Sequence, residues 1–369
     1  LPAMKSTAII VLLAAAAFVL PTNGKQLHGD PDANQIYVDS DVHNQSKVPV
    51  MQDIDQQQYY EDTDGYEVNC PDADDILPCV CSFVDDVNPT TMDLDCSGVE
   101  SGLNEAQLKR IFKANFPSKN FRNFYMSMNG ELKVLESHVF NGISFETMTL
   151  WYDFPLEVIE MFALDSSYET ATSLDFYHDT ITSFPFDQLS YFSRLSYFRL
   201  YSQSLSGMQV PADAFNGLTS LEQIDIKCFS GAIFVGTFKY LPNLKRITLN
   251  ANGITSIPTN FINTGSSNLK NVDLELNHIA SVEPGAFDIV EGMSIRMGHN
   301  SLSTLEEATW RPHLEVGGHL GANGNPLNCG CDIAWLFDED QLLNQVSGDT
   351  YCANGKNIYQ LDPSMFDNC

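Results

Sequence analysis

Positive charge is scarce in this chain. Its 369 residues carry 19 Lys+Arg against 48 Asp+Glu, a formal net charge of −29 at pH 7. A surface of that sign repels nucleic acid, anionic membranes and heparin-like polymers, and leaves cationic or neutral partners open. Catalytic signatures are missing too. There is no G-x-S-x-G, H-E-x-x-H, P-loop or G-x-G-x-x-G run. The eight histidines are scattered, and acidic pairs occur everywhere in so acidic a chain. Neither pattern marks a metal centre or a catalytic dyad. No cofactor, no metal and no enzymatic activity are expected. Long apolar runs are also absent. The one at residues 8–20 is too short for a comfortable membrane span, which takes about 20 residues.

That run has another reading. Met4 is the expected start of translation, Lys5 supplies a positive flank, and Pro21-Thr22-Asn23-Gly24 a small-residue exit. Residues 1–24 therefore read as a signal peptide region, cleaved near Gly24. No apolar tail precedes Cys369, so a GPI anchor is not expected. The predicted product is secreted and extracellular, with no membrane span.

Residues 25–69 hold ten acidic residues and two lysines, with Gln56-Gln57-Gln58 and few core formers. This composition predicts a disordered acidic arm. Asn44-Gln45-Ser46 is an N-glycosylation sequon, whereas Asn88-Pro89-Thr90 is blocked by its proline. Tyr59-Tyr60-Glu61-Asp62 offers a sulfation site or a contact for a basic partner, against the plainer reading of a spacer.

From residue 121 to 325 one pattern recurs. A clear copy reads Leu244-x-x-Ile247-x-Leu249-x-x-Asn252-x-Ile254-x-x-Ile257, and the next Leu269-x-x-Val272-x-Leu274-x-x-Asn277-x-Ile279-x-x-Val282. Taking the Asn slot as a ruler, copies fall at Asn129, Asp153, Asp179, Gln203, Phe229, Asn252, Asn277, Asn300 and Asn325. The gaps run from 23 to 26 residues, inside the period of about 20–29 for leucine-rich repeats. The expected fold is an α/β solenoid, a leucine-rich-repeat horseshoe of about nine copies with a parallel concave sheet.

The apolar residues before each slot alternate with polar ones, the period of a strand with one buried face. The inward pairs are Phe124/Met126, Met148/Leu150, Leu174/Phe176, Phe198/Leu200, Ile224/Ile226, Ile247/Leu249, Val272/Leu274, Ile295/Met297 and Leu320/Ala322. Neighbouring strands about 4.8 Å apart make an inner surface roughly 40 Å long. The Asn side chain can satisfy backbone groups where the chain leaves the strand. Phe229 cannot, so the fifth copy is expected to be irregular. Phe140, Phe162, Phe215, Phe238, Phe261 and Phe287 are expected to fill the convex side.

Both ends of the repeat carry four cysteines, Cys70, Cys79, Cys81 and Cys96 before it and Cys329, Cys331, Cys352 and Cys369 after it. A solenoid's ends expose core and an open sheet edge, so they need caps. In a secreted chain such clusters read as disulfides, with zinc as the competing reading. The N-terminal cap is expected over 70–120 and the C-terminal cap over 326–369. In the first, Asn104 to Lys113 reads as a helix, with Asn104 as N-cap, Gln107 at the capping-box position and Pro117 stopping it. In the second, a helix is expected from Asp332 to Leu343. Cys228 is the ninth cysteine, read either as a buried thiol or as a bridge to a partner.

Several of these runs carry a resemblance. Asn325-Pro326-Leu327-Asn328-Cys329-Gly330-Cys331-Asp332-Ile333-Ala334-Trp335-Leu336 resembles the C-terminal cap of extracellular leucine-rich-repeat proteins, and Cys70-Pro71 with Cys79-Val80-Cys81 resembles the N-terminal one. Leu94-Asp95-Cys96-Ser97-Gly98-Val99, followed by Glu105 to Phe112, is similar to secreted arthropod proteins of the kind of the Oplophorus-luciferin 2-monooxygenase non-catalytic subunit. The resemblance covers about Cys70 to Cys369. It implies cap disulfides Cys70–Cys81, Cys79–Cys96, Cys329–Cys352 and Cys331–Cys369. It also implies a non-catalytic role beside a separate light-producing subunit, as a luciferase accessory. The long acidic arm and Cys228 depart from it.

Positions three, five, seven and eight of each copy point to the concave face. The early copies place Tyr125, Trp151, Tyr152, Tyr177, His178, Tyr197 and Tyr201 there, with Asp175 and Arg199 among them. The later copies supply Arg246, Asp273, Glu275, Arg296 and His299 instead. Rings on a rigid sheet give large contact area at low entropic cost, which suits a binding patch. The bland reading is that the rings only cover the sheet. The expected function is a secreted non-catalytic scaffold that engages a protein partner through these residues. The alternative is an innate-immune recogniser of microbial glycan or protein.

Overall fold

The computed structural model describes residues 60–61, 67–84, 91–98, 103–128, 130–151, 155–177, 180–201, 209–227 and 233–369. The expected leader, Asn44, Cys228 and most of the acidic arm lie outside the described residues. So do the slot residues Asn129, Asp153, Asp179, Gln203 and Phe229. Within the stretch expected to be disordered, Tyr60–Glu61 and Glu67–Val68 pair as two short antiparallel strands.

Among the described residues the main sheet has eleven strands. They are β1 (Val80–Phe83), β2 (Met92–Asp95), β3 (Asn120–Ser127), β4 (Ser144–Trp151), β5 (Ser173–Tyr177) and β6 (Tyr197–Tyr201), then β7 (Gln223–Lys227), β8 (Arg246–Thr248), β9 (Asn271–Asp273), β10 (Ser294–Arg296) and β11 (His319–Gly321). Each pairs with its neighbour in sequence. All pairs are parallel except β1 with β2, where the N-terminal cap turns the sheet edge back on itself. The chain is a leucine-rich-repeat solenoid.

All eighteen side chains of the nine inward pairs are buried. Stacking also lines up the rings behind them. Phe198, Phe215, Phe238 and Phe261 follow one another at centroid distances of 5.5, 6.1 and 6.3 Å. Such ring pairs add about 0.5–1.5 kcal/mol each beyond area burial. Phe162 is a correction. It is 42% exposed, with φ +64°, and stacks on His138 at 5.7 Å. Phe162 sits one repeat on from His138, and Leu164, which is buried, takes the interior place. The second copy is therefore two residues out of the phase that the ring pattern alone suggested.

The Asn slot works as a ladder where it is described. Asn277 Oδ1 accepts from Asn252 N at 2.9 Å and Ile254 N at 3.1 Å. Its Nδ2 donates to Leu249 O at 3.0 Å and Leu274 O at 2.9 Å. Asn300 and Asn325 repeat this one coil later, accepting from Ile279 N and Leu302 N. Each amide thus satisfies buried backbone groups of two successive coils, which water cannot reach.

Four disulfides close the two ends, Cys70–Cys81, Cys79–Cys96, Cys329–Cys352 and Cys331–Cys369. In the N-terminal cap, helix α1 (Glu105–Ile111) starts at Asn104 with a capping box, Asn104 and Gln107 each accepting the other's backbone N–H at 3.0 Å. The C-terminal cap differs from expectation. A 3-10 turn over Cys331–Phe337 and a separate helix α3 (Asp340–Asn344) replace the single helix. Ile333, Trp335 and Leu336 still bury, and the Trp335 indole donates to Leu305 O at 2.9 Å. Helix α2 (Glu307–Glu315) precedes them despite its internal Pro312. It buries Trp310 against Phe287, ring centroids 5.9 Å apart.

Candidate functional site

The parallel register turns repeat positions into rows across the concave face. The third positions align Ser173, Tyr197, Gln223, Arg246 and Asn271. The fifth align Tyr125, Thr149, Asp175, Arg199 and Asp225. The seventh align Ser127, Trp151, Tyr177, Tyr201 and Lys227. Even positions face the core, so these rows face out.

The seventh row is a file of rings. Trp151 and Tyr177 are 6.2 Å apart at 54°, and Tyr177 and Tyr201 stack at 4.1 Å and 5°. Trp151 is 38% exposed and Tyr125, at the fifth position of β3, 37%. Tyr177, Tyr197, Arg199 and Tyr201 are half-buried. Tyr152 and His178 lie outside the described residues.

Between the file and Tyr197 runs a charged row that composition hid. The Arg199 guanidinium lies 3.2 Å from Asp175 through Nη1 and 3.2 Å from Asp225 through Nε. Lys227 Nζ reaches Asp225 at 3.5 Å. Arg199 also covers the Tyr197 ring at 5.5 Å from its centroid. Burial pushes the Asp175 carboxyl up to about 6, against the pull of Arg199 and a hydrogen bond from Trp151. Burial likewise raises Asp225, against Lys227 and Arg199. Arg199 itself is held above its ordinary value by Asp175, Tyr197 and Asp225 in spite of its burial. Burial also raises the Tyr197 hydroxyl.

Asp175 is only 8% exposed. It does not offer itself to a partner; it holds Arg199 in place. Asp225 and Lys227 were missed in the sequence. The signal was there, because the fifth positions of three consecutive copies read Asp, Arg, Asp. A ring file beside a braced cation can dock a folded surface. Among the described residues no group of three or more His, Cys, Asp and Glu could hold a metal ion.

Comparison with known proteins agrees with this architecture. No protein-family model matches the chain. Among solved structures, the TLR13–ssRNA13 complex contains a chain similar in fold, with a TM-score of 0.52 and 22% identity, covering 61% of this chain and 31% of that one. A chain in the octameric complex of Latrophilin 3, Unc5D and FLRT2 gives a TM-score of 0.49 and 17% identity, over 72% of this chain and 88% of that one. At 22% identity the likeness to the first of these concerns fold alone. A curated relative is far nearer. The Oplophorus-luciferin 2-monooxygenase non-catalytic subunit of Oplophorus gracilirostris is 31% identical over 321 residues, covering 81% of this chain and 88% of the relative. On that identity and coverage, the chain belongs to the family of this non-catalytic subunit.

Proposed function

We propose that the protein is a secreted, non-catalytic binding subunit that holds a protein partner against the aromatic half of its concave face. The observation that carries this reading is the in-register file Trp151, Tyr177, Tyr201 on consecutive strands, flanked by Tyr125 and by Arg199 braced between two carboxylates. Rings and arginine are the side chains that dominate protein interfaces. The file also favours protein over glycan. Sugars pack on ring faces, and Tyr177 and Tyr201 turn faces toward each other. The four disulfides suit an oxidising, extracellular compartment. The relative's name describes a subunit without catalysis, and the partner here is read as a separate, catalytic chain in a luciferase-like complex.

The test is affinity recovery of the partner from the native fluid, with the wild-type chain and with Trp151→Ala combined with Tyr177→Ala. The main partner should be lost from the double variant while its circular dichroism stays as in wild type and its thermal midpoint falls by only about 2–6 °C, the loss of the ring contacts. Equal recovery by both chains sinks the reading and moves the contact off this face.

A further inference from the structure

We propose a second, cationic half to the same face: a site for an acidic peptide segment at the leading edge of β7, β8 and β9. It deepens the reading of the concave face as a protein-binding surface and rests on it. The chain has few basic residues, 19 against 48 acids. Three of them nevertheless stand together. Lys245, Arg246 and Lys270, with Gln223, Asn268 and Asn271, line a hollow of about 440 Å³. Every lining side chain is a cation or a carboxamide, and none is a carboxylate.

The register explains the convergence. Gln223, Arg246 and Asn271 are side by side at the third position of three consecutive copies. Lys245 and Lys270 precede the last two by one residue. Two of the cations are anchored from outside the hollow. Lys245 Nζ is 2.8 Å from Glu222, and Lys270 Nζ donates to Glu291 O at 2.7 Å. Arg246 is exposed and forms no ion pair among the described residues. The acids of these three strands stand further along them, Asp225 on β7 and Asp273 on β9, with Glu275 just beyond β9; Glu222, just before β7, is held by Lys245.

The occupant follows from shape and charge. The hollow spans two strand spacings, about 10 Å, which is wider than one oxyanion and suits two carboxylates along an extended chain. It abuts the aromatic half directly, since Tyr197 pairs in register with Gln223. A partner that seats on the rings can therefore lay an acidic segment across these cations. The net charge of −29 does not forbid this. At physiological ionic strength charges further than about 8 Å are largely screened, so contact pairs decide.

The experiment uses a dye-labelled hexaglutamate peptide and the full chain, read by fluorescence anisotropy in physiological salt. Saturable binding is expected. Arg246→Glu with Lys270→Glu should weaken it roughly tenfold or more, and Arg246→Gln with Lys270→Gln should weaken it less. Both pairs sit on exposed side chains, and circular dichroism checks that they fold. Trp151→Ala with Tyr177→Ala should bind the peptide as wild type does. No saturable binding, or binding indifferent to the reversals, overturns the proposal. Displacement by equimolar inorganic sulfate overturns it too, in favour of a single-oxyanion site. In each of these cases the aromatic reading stands or falls separately, on recovery of the native partner.

Discussion

Tyr177 and Tyr201 lie face to face, with ring centroids 4.1 Å apart and planes within 5°. They come from strands β5 and β6, at the same repeat position 24 residues apart in sequence. The stack stiffens the middle of the file and fixes which edges meet solvent.

Tyr201→Ala should therefore act on binding more than on folding. Partner affinity is expected to fall by about 1–2 kcal/mol, the scale of an interface hot spot. Stability should fall by about 0.5–1.5 kcal/mol, the worth of an aromatic pair. Surface plasmon resonance and urea unfolding read the two separately. A stability loss with unchanged affinity would confine the stack to a structural role.

Arg199→Met should be the most damaging single change on the concave face. It leaves Asp175 and Asp225 under the sheet surface without their shared cation. Breaking a fully buried pair costs about 3–5 kcal/mol. Arg199 is about a quarter exposed, so about 2–3 kcal/mol is expected here after solvent screening. The denaturant midpoint measures it. Arg199→Met combined with Asp175→Asn and Asp225→Asn should recover most of the loss.

Asp175 sets a pH dependence. Its folded-state value of about 6 stands above the ordinary carboxylate value of about 4. The native chain thus binds this proton more tightly than the unfolded one. The resulting stabilisation is complete below about pH 4 and is lost as pH rises through about 6. Asp175 accepts from Trp151, while Trp310 and Trp335 are buried elsewhere. Indole fluorescence should change with a midpoint near pH 6, and Asp175→Asn or Trp151→Phe should abolish that change. A titration identical in all three chains would contradict the assignment.

Asn277→Ala should cost about 2–4 kcal/mol, since the buried groups it serves then lose their partners. Those groups are the amides of Asn252 and Ile254 and the carbonyls of Leu249 and Leu274. Asn243, whose amide reaches Thr219 O at an exposed site, is the control. Asn243→Ala should stay within about 0.5 kcal/mol of wild type. Chemical unfolding of the two variants side by side measures the difference.

Much of the fold is legible in the sequence. The alternation of buried and outward residues is local, so Phe198/Leu200 or Val272/Leu274 announce a strand without reference to the rest of the chain. The capping box at Asn104 and Gln107 is likewise a relation across three residues. The convex side was harder. Phe162 follows its slot by nine residues, as Phe238 and Phe261 do, yet Leu164, 24 residues after Phe140, takes the interior place. The helix from Asp332 to Leu343 breaks because the disulfide from Cys331 and the packing of Trp335 under Leu305 dictate the path. Helix α2 was not read from the sequence at all; it holds despite its internal Pro312 and buries Trp310 against Phe287.

The amino-acid order by itself determined a stack of short parallel strands, its buried rows and its need for caps, because those follow from periods of two and of about 24 residues. Only the tertiary structure decided what the exposed rows do. Asp175, Arg199 and Asp225 are 24 and 26 residues apart in sequence and become one charged bridge through register. Lys245, Arg246 and Lys270 become one hollow the same way. Electrostatic coupling and desolvation depend on distances of a few ångströms and on what excludes water. Those quantities exist only once the coils are stacked.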